Sequence, residues 1–299
     1  IGAGHVGATA ALAAAQAGVD EIVLLDVVEG VPQGKALDMM QSGAVHGFSG
    51  RIVGTNDYAE VCGAEVAIVT AGLPRKPGMS RDDLVTANAN IIRTVSAKLA
   101  EHAPDCVIIM VTNPLDVMAY VAMKETGFPR QRVLGMAGVL DSARFRTFVA
   151  LELDTDVRQV SAMVLGGHGD SMVPLVRLAT VGGVPLTELV AQDRLERIVQ
   201  RTRTGGGEIV KLLGTGSAYY APGAAAFRMA EFLLFGRRTV LPASVWTEGE
   251  YGIRDTFVGL PVELGPGGLE RIIEIELTDD ELAALKKSAD AVRSVIDRL

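Results

Sequence analysis

The chain opens on Ile1-Gly2-Ala3-Gly4-His5-Val6-Gly7, a G-x-G-x-x-G pattern leading into an alanine-rich helical run, Ala8 to Ala17. A second apolar strand, Ile22 to Leu25, follows and ends on Asp26. Strand end, glycine turn, helix, strand and acidic terminus stand in the order that a dinucleotide-binding turn requires. The first glycine permits the tight turn, the second lets a pyrophosphate approach the backbone, and the third lets helix and strand pack closely. N–H groups and dipole at the helix start favour an anion there, which assigns Gly2, Ala3, Gly4, His5, Val6 and Gly7 to cofactor binding. Asp26, nineteen residues beyond Gly7, is placed to accept hydrogen bonds from both ribose hydroxyls and to repel a 2′-phosphate, so the cofactor expected is NAD. Read alone, a glycine turn is also an ordinary strand-to-helix connection. Most of the first strand is expected upstream of Ile1.

A length of 299 residues suits one large or two intimately joined domains. With 48% hydrophobic and 21% charged residues the composition is globular, and a formal charge of −8 without a basic run argues against a nucleic-acid surface. No apolar stretch approaches the ~20 residues needed to cross a bilayer, and no signal peptide is visible. Cys62 and Cys106 lie beside apolar strands and form no C-x-x-C pair, so both are expected as buried small hydrophobes in a reducing cytoplasm.

Strands and helices alternate through the first half. A helix is expected around Gly34 to Gln41, strands at Arg51 to Val53 and Val66 to Thr70, a long helix over Asp82 to Glu101, and a strand at Val107 to Val111. A helix from Leu115 to Thr126 and a short strand at Arg132 to Leu134 follow. Continuously apolar strands separated by helices imply a doubly wound parallel sheet, with its ligand beyond the C-terminal strand ends. We therefore read residues 1–138 as an α/β Rossmann domain and 139–299 as an α+β substrate domain.

Unusual residues gather at those strand ends. Val66 to Thr70 runs into an eleven-residue loop, Ala71 to Arg81, with two prolines, two glycines and the cations Arg75, Lys76 and Arg81. Such a loop is either a solvated connection or a lid that carries charge to a ligand. Val107 to Val111 ends in Thr112-Asn113-Pro114. Pro114 suits the first turn of a helix, and the Asn113 amide serves as a ligand contact or as a helix cap.

Past residue 138 the rhythm changes. An amphipathic helix begins at Leu140-Asp141-Ser142-Ala143-Arg144, with Asp141 and Arg144 three apart on one face, a spacing common in surface ion pairs. A strand expected at Gln159 to Leu165 leads to Gly166-Gly167-His168-Gly169-Asp170. Of four histidines, only His168 has flanking glycines that would let a substrate near its ring, although a loop histidine is often structural. Asp193 to Thr204 reads as a helix, Gly205-Gly206-Gly207 as a break without the Lys-Ser/Thr of a P-loop, and Glu208 to Leu213 as a further short helix. A helix at Ala224 to Leu234, antiparallel strands at Thr239 to Trp246, Phe257 to Leu264 and Gly268 to Ile275, and a helix from Asp280 to Leu299 complete the chain.

The stretches IGAGHVG, Asp26, AGLPRKPGMSR, VTNP, LDSAR and GGHGD, in this order and spacing, resemble the lactate/malate dehydrogenase family nearly end to end. The resemblance implies hydride transfer between C2 of a 2-hydroxy acid and the nicotinamide of NAD. It makes His168 the proton acceptor or donor, oriented by Asp141, with Arg144 clamping the C1 carboxylate and Arg81 polarising the carbonyl. Asn113 is similar to the residue that touches substrate and nicotinamide, while Asn88, Val111 and Thr112 match further cofactor contacts.

Independently, an imidazole suits proton transfer near neutral pH. A carboxylate against its other nitrogen fixes the tautomer and stabilises the imidazolium. A planar guanidinium grips a carboxylate through two parallel hydrogen bonds.

Substrate choice turns on Arg75, where the resemblance implies glutamine in lactate-specific and arginine in malate-specific members. A closed lid over the second carboxylate of oxaloacetate needs a charge partner, whereas pyruvate would leave that arginine unpaired. The expected reaction is (S)-malate to oxaloacetate. The competing readings are a lactate dehydrogenase, a metal-using NAD-dependent glycosidase, and a non-catalytic NAD sensor. No metal is expected, because neither cysteine has ligand-like spacing to His168. The resemblance also implies a homodimer or homotetramer.

Overall fold

A computed structural model describes residues 1–74 and 80–299, and the chain folds as two compact units. The first comprises residues 1–134, 218–239 and 264–270; the second comprises 135–217, 240–263 and 271–299.

In the first unit, α1 (His5–Gln16) is followed by β1 (Glu21–Leu25), α2 (Val31–His46), β2 (Arg51–Thr55) and β3 (Val66–Val69). Then come α3 (Arg81–His102), β4 (Val107–Met110), α4 (Leu115–Thr126) and β5 (Val133–Gly135), which ends at the unit boundary. β1 pairs with β2 and β3 with β4, both in parallel. Gly2 N–H donates to Leu25 O at 2.8 Å and Thr70 N–H to Ile1 O at 2.8 Å, so the opening residues lie between the ends of β1 and β3. The doubly wound parallel sheet expected from the apolar strands is present. Buried Ala3, Ala11 and Ala15 pack with Leu24, Met39 and Ile52, small residues that let α1 approach the strands closely.

Helix starts follow local chemistry. Ser80 and Asp83 form a reciprocal capping box, with Asp83 N–H donating to Ser80 Oγ at 3.0 Å and Ser80 N–H to Asp83 Oδ2 at 3.1 Å. That cap makes Arg81 the first helical residue, one earlier than expected. Pro114 occupies the N-cap position of α4, without a side-chain cap bond. The readings of Pro114 as a first-turn residue and of Asn113 as the cap are therefore corrected.

The second unit begins with α5 (Gly138–Leu153), followed by β6 (Val160–Ser161), β7 (Val164–Leu165), β8 (Val173–Pro174), β9 (Thr180–Val181), β10 (Val184–Pro185) and α6 (Leu186–Leu189). α7 (Gln192–Leu213), α8 (Tyr220–Leu234, in the first unit), β11 (Thr239–Glu248), β12 (Arg254–Gly265), β13 (Gly268–Ile272) and α9 (Asp279–Ile296) complete the chain. Around Phe145 and Val149 of α5, buried Val160, Val164, Leu186, Leu195 and Ile198 form a core.

Three expectations fail here. The single strand Gln159 to Leu165 is two short strands with different partners, β6 beside β9 and β7 beside β8. The glycine triplet does not break α7, which runs unbroken through Gly205, Gly206 and Gly207. A Cβ at Gly205 would stand 3.3 Å from Phe148 Cε2 and 3.5 Å from Arg144 Cδ. At Gly205 the helix therefore packs closely on α5, and α7 continues through the triplet despite a helix penalty of about 1 kcal/mol per glycine. Cys106 is buried as expected, whereas Cys62 is exposed. No described helix is long and apolar enough to cross a membrane.

Candidate active site

The glycine turn is built for close approach. Gly2 has φ +100°, and a Cβ on Gly7 would lie 1.9 Å from Gly2 O, so both positions exclude a side chain. α1 starts with Gly4 as N-cap, no side-chain cap and no acidic residue in its first turn, so no side chain competes for its leading N–H groups. Asp26 Oδ2 accepts from Ala3 N–H at 2.6 Å and Oδ1 from Val28 N–H at 3.1 Å. Each carboxylate oxygen offers a second acceptor direction to a ribose hydroxyl. A bare turn, an uncapped helix start and an adjacent carboxylate fit a dinucleotide with an unphosphorylated ribose. His5 and Val6 form the start of α1, and the His5 ring lies 4.9 Å from that of Tyr219.

Lys35 escaped the sequence reading. Its Nζ donates to Ala3 O at 2.6 Å, so Asp26 and Lys35 pin opposite ends of one residue in the turn.

The ends of β3 and β4 are joined by backbone and side-chain hydrogen bonds. Val111 N–H donates to Val69 O at 2.9 Å, and Thr112 Oγ1 to Ala71 O at 2.7 Å. Asn88 is 1% exposed. Its Oδ1 accepts from Leu73 N–H at 2.8 Å, while Nδ2 donates to Leu73 O at 3.2 Å and to Asn113 O at 2.7 Å. Its amide thus braces the backbone on both sides of the strand ends. Asn113 lies three residues beyond the end of β4, just before α4. Arg75 lies outside the described residues, and Arg81 is the first residue of α3.

Within the second unit, three expected residues converge. His168 Nδ1 is 2.9 Å from Asp141 Oδ2, and Arg144 Nη1 donates to Asp141 Oδ1 at 3.4 Å. Side-chain exposure is 3% for Asp141, 14% for His168 and 15% for Arg144, so this is not the solvated pair that the spacing alone suggested. Burial pulls the Arg144 guanidinium below its ordinary pKa, opposed by the Asp141 charge. One turn of α5 presents both Asp141 and Arg144 to the same side. The neighbouring Ser142 Oγ accepts from Val164 N–H at 2.9 Å, tying α5 to β7, the strand that leads into the His168 loop. Gly206 of α7 faces the Arg144 guanidinium, and a Cβ there would make ordinary contact with Nη2 at 3.4 Å.

A carboxylate with an imidazole on one oxygen and a guanidinium beside the other can orient a proton-transfer group next to an anion clamp.

Residues 1–135 match the family model for the lactate/malate dehydrogenase NAD binding domain, and residues 138–299 match that for the lactate/malate dehydrogenase alpha/beta C-terminal domain. The malate dehydrogenase of Desulforudis audaxviator is 56% identical over 299 residues, covering 100% of this chain and 97% of that protein. The solved malate dehydrogenase of Salinibacter ruber is 52% identical, with a TM-score of 0.95 and coverage of 99% of this chain and 95% of that one. A lactate dehydrogenase of Cryptosporidium parvum, solved with lactic acid and NAD, superposes equally well, with a TM-score of 0.95 at 40% identity over 99% of this chain and 95% of that chain. On these matches, which together span nearly the whole length, the chain belongs to the lactate/malate dehydrogenase family.

Proposed function

We propose that the chain catalyses the reversible oxidation of (S)-malate to oxaloacetate with NAD. The observation that carries this reading is the buried Asp141 carboxylate shared by His168 and Arg144, in a chain whose loop carries arginine at position 75. NAD, when bound, accepts the hydride from C2 of the substrate. The glycine turn and helix start hold its pyrophosphate, and Asp26 holds the ribose.

Arg144 receives the C1 carboxylate as a two-pronged donor. With the Nδ1 proton directed to Asp141, His168 Nε2 takes the C2 hydroxyl proton during oxidation and returns it during reduction, while Asp141 stabilises the imidazolium. Arg81 polarises the carbonyl, Asn113 orients substrate and nicotinamide, and Arg75 pairs with the second carboxylate. The loop carrying Arg75 excludes water, which strengthens each of these charge interactions. Residues 1–138 supply the cofactor functions together with Arg75, Arg81 and Asn113, and 139–299 supply His168, Asp141 and Arg144.

Exposed Leu37, Met40 and Val45 on α2 support self-association as a homodimer or homotetramer, and two unpaired cysteines support a reducing cytoplasmic setting. His168→Asn tests the assignment. Turnover should be lost while NADH binding, followed by fluorescence, persists; retained turnover would remove His168 from the mechanism.

A further inference from the structure

The buried face of α9 is an apolar stripe of Leu285, Ala289, Val292 and Ile296, interrupted by one hydroxyl, Ser288, which is 1% exposed. A polar group on such a face is costly unless its hydrogen bonds are made. Ser288 Oγ accepts from Gly167 N–H at 2.8 Å and donates to Ser171 Oγ at 2.9 Å. Gly167 immediately precedes His168, and Ser171 lies three residues beyond it.

We propose that Ser288 is a positioning residue for His168, holding both flanks of the histidine loop with one hydroxyl. The inference rests on the reading of His168 as the proton-transfer group.

The loop needs such a restraint because its own sequence supplies little. Gly166 has φ +86° and Gly169 φ +134°, so the segment gains its flexibility from residues that impose few conformational limits. Upstream of His168, the Gly166–Gly259 backbone bridge fixes the loop through bonds of 2.9 and 3.0 Å. At Gly167 itself the fixing group is Ser288. A hydroxyl is suited to the place because it accepts and donates at once. Alanine would preserve the apolar stripe but leave the buried Gly167 N–H without its acceptor. A small rotation of the loop would then swing the ring of His168 away from Asp141 and from the substrate oxygen, where sub-ångström placement governs rate.

The test compares Ser288→Ala, Ser288→Thr and Ser171→Ala using oxaloacetate with NADH, or with NADH deuterated at the transferred position. Ser288→Ala should lower kcat about tenfold, leave NADH affinity within about twofold of wild type, and raise the deuterium isotope effect on kcat as the chemical step becomes rate-limiting. Ser288→Thr, which keeps the hydroxyl, should recover most of the rate. A smaller shift in the same direction is expected from Ser171→Ala, which leaves the Gly167 bond in place and decides the matter if Ser288→Ala does not fold. A purely structural role would reduce the amount of active enzyme and leave the isotope effect unchanged, and that result overturns the proposal. If His168→Asn retains turnover, the underlying reading falls as well. If His168→Asn is dead and a folded Ser288→Ala is normal, only the positioning role is lost.

Discussion

His168 Nδ1 faces Asp141 Oδ2 at 2.9 Å, the two residues standing 27 apart in sequence, and the carboxylate is 3% exposed. The other oxygen of that carboxylate accepts from Arg144 at 3.4 Å. One buried carboxylate therefore holds both the imidazole and the guanidinium.

Asp141→Asn removes the charge and keeps the shape. Oxaloacetate reduction should fall about 10²- to 10⁴-fold in kcat/KM, the range for lost acid–base catalysis. Arg144 would also lose its charge partner, so KM for oxaloacetate should change along with kcat. Steady-state rates alongside NADH titration check this, and near-wild-type kcat/KM would remove Asp141 from the mechanism.

Arg75→Gln removes the partner proposed for the second carboxylate. Turnover of oxaloacetate should drop about 100-fold or more, as expected when a bidentate charge pair is lost in a dry site, while pyruvate turnover rises. Parallel assays with the two keto acids read the outcome. Unchanged oxaloacetate turnover would mean that Arg75 does not set specificity.

Asp26→Ala takes away an acceptor from Ala3 N–H and a negative charge beside the ribose site. NADH affinity should weaken about tenfold and the ratio of NADH to NADPH affinity should fall, because a hydrogen bond to a charged group is worth about 1.5–3 kcal/mol. Fluorescence titration with each nucleotide measures both, and an unaltered ratio would exclude Asp26 from cofactor choice.

The glycine turn was legible because every residue that makes it lies within one short segment and a strand–helix–strand frame. The cluster of His168, Asp141 and Arg144 could be assembled only through the resemblance, since nothing local to LDSAR or GGHGD shows that they meet. Gly205 to Gly207 misled because propensity favours a break, whereas α7 continues through all three and packs closely on Phe148 at Gly205. Lys35 and Ser288 carried no local signal at all. Their partners, Ala3 and Gly167, are 32 and 121 residues away and are backbone atoms.

The corrected reading of α7 has its own test. Gly207 is helical and a Cβ there would meet nothing within 4 Å, so Gly207→Ala should stabilise by about 0.5–1 kcal/mol. The melting temperature should rise by about 1–4 °C with activity intact. A lower melting temperature would speak against a continuous helix at that point.

The two thiols differ in environment. Cys62 is exposed, while burial pushes the Cys106 thiol up to about 11. At mildly alkaline pH the Cys106 thiol is protonated and out of reach, so one thiol should react in the native protein and two after denaturation. Rapid reaction of Cys106 in the folded chain would contradict its placement.

The central claim is that a dicarboxylic keto acid, held at each end by a guanidinium, is reduced while His168 gives up a proton. Initial rates with NADH against oxaloacetate and pyruvate, measured side by side on the wild-type chain, test it most directly. The account predicts kcat/KM for oxaloacetate at least about 100-fold above that for pyruvate; equal rates, or a preference for pyruvate, would contradict it.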